Sequence, residues 1–206
     1  MISVAIVDYG MSNLDSVVRA VQECGAEAQV TIAPGDLERA THVILPGVGS
    51  FADGMAHLRE RGFEAALKDQ VLGRRVPFLG ICLGMQLLAT RGFECGETPG
   101  LGWIEGDVVR LKPADPKERI PHVGWNEVRP VEAEAPLFRS IPAGKDFYFV
   151  HSWHLACSRP EQVLARTPYC GGFVSAVRRD NILGAQFHPE KSQKPGRQIL
   201  KNFLEL

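Results

Sequence analysis

The sequence predicts an α/β fold built on a single doubly wound sheet, mostly parallel or mixed, with helices on both faces and an antiparallel C-terminal extension. Strand and helix patterns alternate over residues 3–90, and the strands there are apolar throughout, as in parallel strands that helices cover on both faces. After Cys95, prolines and short strands replace the long helical patterns, which indicates antiparallel structure.

The N-terminal half alternates between strands and helices. Residues 3–7 predict the first strand, and an amphipathic helix follows, with apolar residues at i, i+3, i+4 and i+7 and Gly25 at its C-terminal cap. That helical stripe consists of Leu14, Val17, Val18 and Val21. Further strands are predicted at residues 28–32, 42–45 and 76–81, and further helices at residues 53–72, interrupted near Gly62, and 83–90.

The C-terminal half predicts mostly antiparallel strands and a closing helix. Asp180-Asn181 forms the turn of a predicted hairpin, and no linker, repeat or charge block divides the chain, so we expect one domain over residues 1–206. The strands are expected at residues 108–111, 123–128, 147–150, 163–166, 173–178 and 183–187, and one face of the helix at Ile199, Leu200, Phe203 and Leu204.

Composition argues against several classes of function. The 23 Lys and Arg residues nearly balance 24 Asp and Glu residues, so the net charge of −1 gives no field that would attract nucleic acid or an anionic membrane, and neither is expected as a partner. No apolar run reaches the ~20 residues that span a bilayer, and the N-terminus lacks a signal sequence, so we expect a cytoplasmic protein. Five cysteines, none at C-x-x-C spacing, disfavour disulfides and a zinc site, and no metal is expected.

Catalysis is indicated first by Gly80-Ile81-Cys82-Leu83-Gly84, where an apolar strand runs into a helix. This G-x-C-x-G sequence has the construction of the nucleophile elbow, with sulfur in place of the serine oxygen. A helix N-terminus also favours the thiolate form of a cysteine. The alternative is a buried structural cysteine in a glycine-lined turn.

A base for this thiol is indicated by Gln186-Phe187-His188-Pro189-Glu190. A strand here would place His188 and Glu190 at i and i+2 on one face, so that the carboxylate could orient the imidazole towards the thiol. Taken alone, the two residues suggest a surface pair. Together with the elbow, they predict a Cys82–His188–Glu190 triad.

An oxyanion site is indicated by Pro46-Gly47-Val48-Gly49 at the carboxyl end of a neighbouring strand. Acyl chemistry needs backbone N–H donors aimed at the developing oxyanion. The N–H of Leu83, just after the nucleophile, can be one donor, and Gly47, Val48 or Gly49 can supply the other. The alternative is a turn that uses glycine for its dihedral angles.

These motifs resemble the class I, or triad, glutamine amidotransferases. The elbow continues into Met85 and Gln86, and Lys191-Ser192 follows the predicted triad. In these two features the sequence is similar to the glutaminase subunits of imidazole glycerol phosphate synthase. Ser12 and Trp153 depart from the usual glycine and tyrosine. Further matching blocks begin at Asp8, Leu45, Pro121 and Tyr148.

The resemblance implies that Cys82 attacks the side-chain amide of glutamine, His188 protonates the departing ammonia and activates water, and Glu190 orients His188, without any organic cofactor. It also implies that Gln86, Glu94 and the backbone of Ser152 and Trp153 hold the glutamine. Without the resemblance, Gln86 could be an exposed helix residue and Glu94 a solvated acid.

The resemblance further implies a heterodimer with a separate (β/α)₈-barrel synthase subunit, which uses the ammonia to make imidazole glycerol phosphate and an aminoimidazole carboxamide ribonucleotide in histidine biosynthesis. It places Asn13, Trp125, Tyr148 and Lys191 at the interface, although a tryptophan in a chain of this size is often a core residue. The alternatives are a stand-alone thiol hydrolase and a non-catalytic subunit that retains the fold. We also hypothesise that the isolated chain holds residues 46–49 without an oxyanion donor.

Overall fold

The first half of the chain builds the parallel part of a central sheet. The computed structural model describes residues 2–132 and 135–206. Its first four strands all run parallel and are β1 (Ser3–Val7), β2 (Glu27–Thr31), β3 (His42–Gly47) and β4 (Phe78–Cys82). The helices of this half are α1 (Leu14–Glu23), α2 (Phe51–Glu60), α3 (Phe63–Leu67) and α4 (Leu83–Gln86).

In β1 and β3, successive residues enter two different cores, as expected for a sheet covered on both faces. In β1, Val4 and Ile6 pack in one core with residues of α1, whereas Ala5 and Val7 pack in the other with residues of α2 and α3. The apolar runs in the sequence reflect this burial on both faces.

The second half adds the rest of the sheet. The added strands are β9 (Arg129–Pro130), β12 (Val163–Thr167), β13 (Phe173–Arg179) and β14 (Ile182–Ala185), and α5 (Gln193–Leu204) closes the chain. The strand order is β2-β1-β3-β4-β14-β13-β12-β9, with β14 parallel to β4 and the last three pairings antiparallel. The predicted mixed sheet with an antiparallel extension is confirmed.

Two smaller sheets lie beside the central one. One pairs β8 (His122–Glu127) with β10 (Asp146–His151). The other contains β5 (Arg91–Gly92), β6 (Thr98–Pro99), β7 (Gly106–Arg110) and β11 (Trp153–Cys157). Of these six strands, the sequence did not predict β5, β6 or β11.

Two of the predicted helices differ in detail. The helix at residues 53–72 is interrupted at Gly62 as predicted, with φ of +74°, and after α3 it ends in a π-helical turn at Lys68–Gly73. The helix at residues 83–90 was predicted too long, since α4 ends at Gln86. The carbonyls of Leu87 and Ala89 instead accept hydrogen bonds from Leu101 and Gly102, which draws this apolar segment out of the helix. None of the helices among the described residues is long and apolar enough to span a membrane.

Candidate active site

Cys82 sits at a strained turn between β4 and α4. Its backbone has φ of +54° and ψ of −110°, a conformation that non-glycine residues rarely adopt and that clusters at functional sites. The flanking glycines are required by packing: a Cβ on Gly80 would lie 2.5 Å from the Gly84 carbonyl oxygen, and one on Gly84 would lie 1.8 Å from the Leu45 carbonyl oxygen. The G-x-C-x-G sequence therefore forms a strained elbow with almost no free space.

His188 and Glu190 form a buried pair at the end of the neighbouring strand β14. His188 Nδ1 lies 2.8 Å from Glu190 Oε1, and both side chains are about 5% exposed or less. The prediction that a strand carries both residues was wrong. Strand β14 ends at Ala185, and Pro189, which cannot donate to a sheet, begins a 3₁₀ turn over Pro189–Lys191.

The other ring nitrogen of His188 is available to the thiol. His188 Nε2 is buried and has no hydrogen-bond partner within the described residues. Burial alone would lower the pKa of His188, but its interactions with Cys82 and the Glu190 carboxylate raise that pKa to about 10. This arrangement keeps a positive charge on the imidazole beside the sulfur of Cys82, and a thiolate is the reactive form of a cysteine nucleophile.

A cavity of about 250 Å³ opens above the cysteine. Its volume lies at the small end of ligand pockets and suits a ligand of amino-acid size. It brings together eight of the predicted site residues with Val150 and His151; the eight are Val48, Gly49, Cys82, Leu83, Gln86, Glu94, Ser152 and Trp153. Gly47 lies outside this cavity and instead pairs with Cys82 across β3 and β4.

Gln86 and Glu94 are structurally engaged in the cavity wall. The Gln86 side-chain amide is buried and donates to the Trp153 carbonyl at 2.8 Å and to Gln186 Oε1 at 3.0 Å, so it is not an exposed helix residue. Glu94 is half-buried and accepts the N–H of Phe51 at 2.8 Å, so it is not an ordinary solvated acid. Both leave polar atoms that can meet an amino acid in the cavity.

The glycine-rich loop at residues 46–49 directs its central N–H away from the cavity. The N–H of Val48 donates to the Met11 carbonyl at 2.8 Å. Ser12, at the position where the family commonly has glycine, donates from its hydroxyl to the Pro46 carbonyl at 3.0 Å, so two hydrogen bonds tie this loop to residues 11–12. In this state Val48 cannot serve as an oxyanion donor.

An exposed apolar patch surrounds the mouth of the site. We define the patch as four side chains that are 37–57% exposed, namely Val48, Val123, Trp125 and Val150. Trp125 is therefore not a core residue. Its ring lies 6.0 Å from that of half-buried Tyr148, and exposed Lys191 places Nζ 5.8 Å from the Tyr148 ring centroid. Asn13 is exposed and lines a small crevice with His188, Glu190 and Lys191.

Sequence analysis missed three contributors to the site. Gln186 Nε2 lies 3.7 Å from Cys82 Sγ, and the Val150 carbonyl lies 3.9 Å from the same sulfur. His151 lines the cavity and lies 2.8 Å from the Trp153 carbonyl through Nδ1. Gln186 could have been found, because a continuation of the strand predicted at residues 183–187 would place it on the same side as His188. In the described ranges, no cluster of three or more His, Cys, Asp and Glu side chains could hold a metal ion.

Comparison with known proteins agrees with this geometry. The protein-family model described as "Glutamine amidotransferase class-I" matches residues 5–206. The chain therefore belongs to the class-I glutamine amidotransferases.

Within this family, the chain is most usefully compared with curated relatives of known subunit type. The chain is 46% identical over 203 residues to imidazole glycerol phosphate synthase subunit HisH 1 of Campylobacter jejuni (strain RM1221), which covers 98% of this chain and 100% of that protein. It is 49% identical to subunit HisH of Moorella thermoacetica, covering 98% of this chain and 94% of that protein. Among solved structures, PurLQS from Thermotoga maritima matches with a TM-score of 0.77 at 19% identity, covering 99% of this chain and 98% of that one, which supports the fold alone.

Proposed function

We propose that this chain hydrolyses glutamine to glutamate and ammonia, and that it passes the ammonia to the synthase subunit of imidazole glycerol phosphate synthase in histidine biosynthesis. The observation that carries the proposal is the strained Cys82 elbow beside the buried His188–Glu190 pair, under a cavity of amino-acid size. Likeness to HisH subunits over nearly the whole chain supports the choice of pathway.

The residues suggest a two-stage reaction through a thioester. The Cys82 thiolate attacks the side-chain amide carbon, and the N–H of Leu83 at the start of α4 stabilises the oxyanion. The imidazolium of His188 gives its proton to the departing amide nitrogen, which leaves as ammonia. His188 then accepts a proton from water, the hydroxide cleaves the thioester, and glutamate is released. Glu190 orients His188 throughout.

Glu94 and the Oε1 of Gln86 are proposed to accept hydrogen bonds from the ammonium group of the glutamine. Gln86 also fixes the Trp153 carbonyl, so it shapes the cavity wall that the glutamine contacts. Glu94 offers a carboxylate to the substrate ammonium group while it accepts the Phe51 N–H. The backbone of Ser152 and Trp153 completes the wall.

The exposed apolar patch supports docking of a second subunit. Tryptophan and tyrosine are enriched in interfaces, and the Trp125 ring lies 6.0 Å from that of Tyr148, which itself lies 6.4 Å from the His188 ring. Strand β10 also connects the patch to the site, because the Tyr148 carbonyl accepts the N–H of His188 at 2.9 Å. We propose a (β/α)₈-barrel partner, a cytoplasmic heterodimer, and no contact with nucleic acid or membrane.

The proposal is tested by following the amide nitrogen of glutamine. Glutamine labelled with heavy nitrogen in its amide group is given to the chain mixed with the synthase subunit and its nucleotide substrate. We expect the label in the synthase product even when unlabelled ammonium is present in excess, because ammonia passes between the subunits. Glutamate release without label transfer would indicate a stand-alone hydrolase, and no glutamate release would exclude the glutaminase activity.

Glu190→Gln should narrow the pH range of glutamine turnover. The Glu190 carboxylate helps to raise the pKa of His188, so its loss lowers that pKa and deprotonates the imidazolium at lower pH. We expect the alkaline limb of the pH–kcat profile to move down by about one to two pH units. Glu64→Gln is the control, since Glu64 pairs with exposed Arg59; an unmoved alkaline limb in the Glu190 variant would refute the assignment.

Trp125→Ala should weaken the complex with the synthase. Removal of an exposed aromatic anchor from an interface costs about 2 kcal/mol or more, which raises Kd roughly thirtyfold. Titration calorimetry measures this change. Ile2→Ala is the matched control. Ile2 is also an exposed apolar residue, but it lies at the N-terminal end of the parallel strands, whereas the site lies at their carboxyl ends. Equal affinities for both variants and the parent would place the interface elsewhere.

A further inference from the structure

Tyr9 carries a buried hydroxyl that the mechanism does not yet use. The residue is the second one after β1. Its side chain is fully buried, and its ring packs in the core that also holds Leu83. Within the described residues, Tyr9 Oη has no hydrogen-bond partner. A buried, unpaired hydroxyl destabilises the folded state, so such groups usually have another role.

This hydroxyl lies against the glycine of the loop at residues 46–49. A Cβ built on Gly47 would lie 2.2 Å from Tyr9 Oη, so the hydroxyl occupies the space beside the Gly47 Cα. The neighbouring Ser12 hydroxyl donates its hydrogen bond to the Pro46 carbonyl. Only glycine at position 47 leaves room for Tyr9.

The Tyr9 hydroxyl can donate a hydrogen bond to a carbonyl, because it stays protonated. Burial and the nearby charge of Cys82 raise its pKa well above the ordinary value for tyrosine. A protonated phenol needs an acceptor. The Gly47 carbonyl is a candidate acceptor, because its carbon is bonded to the Gly47 Cα beside which the hydroxyl lies.

The orientation of the Gly47–Val48 peptide decides whether that acceptor is present. The N–H and C=O of a peptide group point in opposite directions, so the Gly47 carbonyl points away from Met11 while the Val48 N–H bonds to Met11. If the peptide turns over and the Val48 N–H faces the cavity, the Gly47 carbonyl turns towards the Met11 carbonyl. It then needs a donor to offset the repulsion between the two oxygens.

We propose that Tyr9 is a positioning residue for the oxyanion site, whose hydroxyl donates to the Gly47 carbonyl when the Gly47–Val48 peptide turns its N–H towards the cavity. The hydroxyl is unpaired in the resting state and paired in the active one, so it shifts the equilibrium towards the active one. This inference rests on the proposed glutaminase function.

Tyr9→Phe tests the inference, because it removes the hydroxyl and keeps the ring. The turned state is a minor population in the isolated chain, so its turnover falls by the full effect of one hydrogen bond, roughly five- to tenfold in kcat. In the complex with the synthase and its nucleotide ligand, kcat falls by the same factor or less. KM stays unchanged, and the melting temperature of the isolated chain stays equal or rises, because an unpaired buried group has been removed.

Tyr169→Phe is the matched control. Its hydroxyl is paired with the carbonyl and the N–H of Arg119, both at 2.8 Å, so its loss should lower the melting temperature and leave kcat unchanged. If Tyr9→Phe lowers the melting temperature in the same way, or leaves kcat of the isolated chain intact, the inference is overturned. If the parent complex itself releases no glutamate, the proposed function fails instead.

Discussion

Cys82→Ser is expected to abolish glutamine hydrolysis while leaving the fold intact. The variant loses the Cys82 thiol, and removal of a covalent nucleophile lowers kcat by roughly 10⁴–10⁶-fold. The serine hydroxyl fits the same elbow, so circular dichroism and melting temperature should match the parent. Glutamate release measured in the complex with the synthase shows the loss.

Two controls make the Cys82 result specific. A diazo-ketone analogue of glutamine should label Cys82 and none of the other four cysteines, which lie outside the cavity; Cys157→Ser should therefore keep full activity. The Cys82→Ser complex should still make product from external ammonium salts at alkaline pH, since the chain only supplies ammonia. Label on another cysteine, or loss of the ammonium-dependent synthesis as well, would contradict the assignment.

The synthase carrying its nucleotide ligand is expected to raise kcat for glutamine by roughly 10²–10³, the effect of one oxyanion donor. In the isolated chain the Val48 N–H is bonded to the Met11 carbonyl, so this donor is missing. Gly47 and Gly49, the latter at φ of +112°, flank Val48 and allow the Gly47–Val48 peptide to reorient at low steric cost. Because the donor acts on the oxyanion, KM should change far less than kcat.

Steady-state kinetics of the isolated chain, the complex and the liganded complex measure this change. A gain confined to KM would indicate that the ligand orders the glutamine site instead. Full activity of the isolated chain would show that the Val48 N–H reorients without a partner. Either result would exclude the loop at residues 46–49 as the switch.

The parallel half of the fold could be predicted from sequence because burial on both faces leaves apolar runs such as that of β3. The two-residue strands β5, β6 and β9 are too short to leave a pattern. Strand β11 was missed because only Leu155 among its five residues is buried, so no alternation of apolar and polar residues marks it.

The candidate site was predictable where chemistry requires a local motif and unpredictable where it depends on contacts between distant segments. Gly80, for example, is dictated by the turn itself, because a Cβ there would meet the Gly84 carbonyl oxygen. By contrast, the Val48 hydrogen bond to Met11 and the position of Tyr9 beside Gly47 arise from packing between β1 and β3, which no local pattern encodes. The roles of the individual residues remain predictions.

The pairing of β4 with β14 has a consequence for how the chain is made. Phe78 of β4 pairs with Ile182 of β14, so one edge of the fully buried strand β4 stays open until residues 182–185 emerge from the ribosome. An open, apolar edge can pair with other chains, which makes the nascent protein prone to aggregation at this stage. The same delay keeps Cys82 apart from His188, so the thiol meets its base only after the segment that carries His188 has emerged.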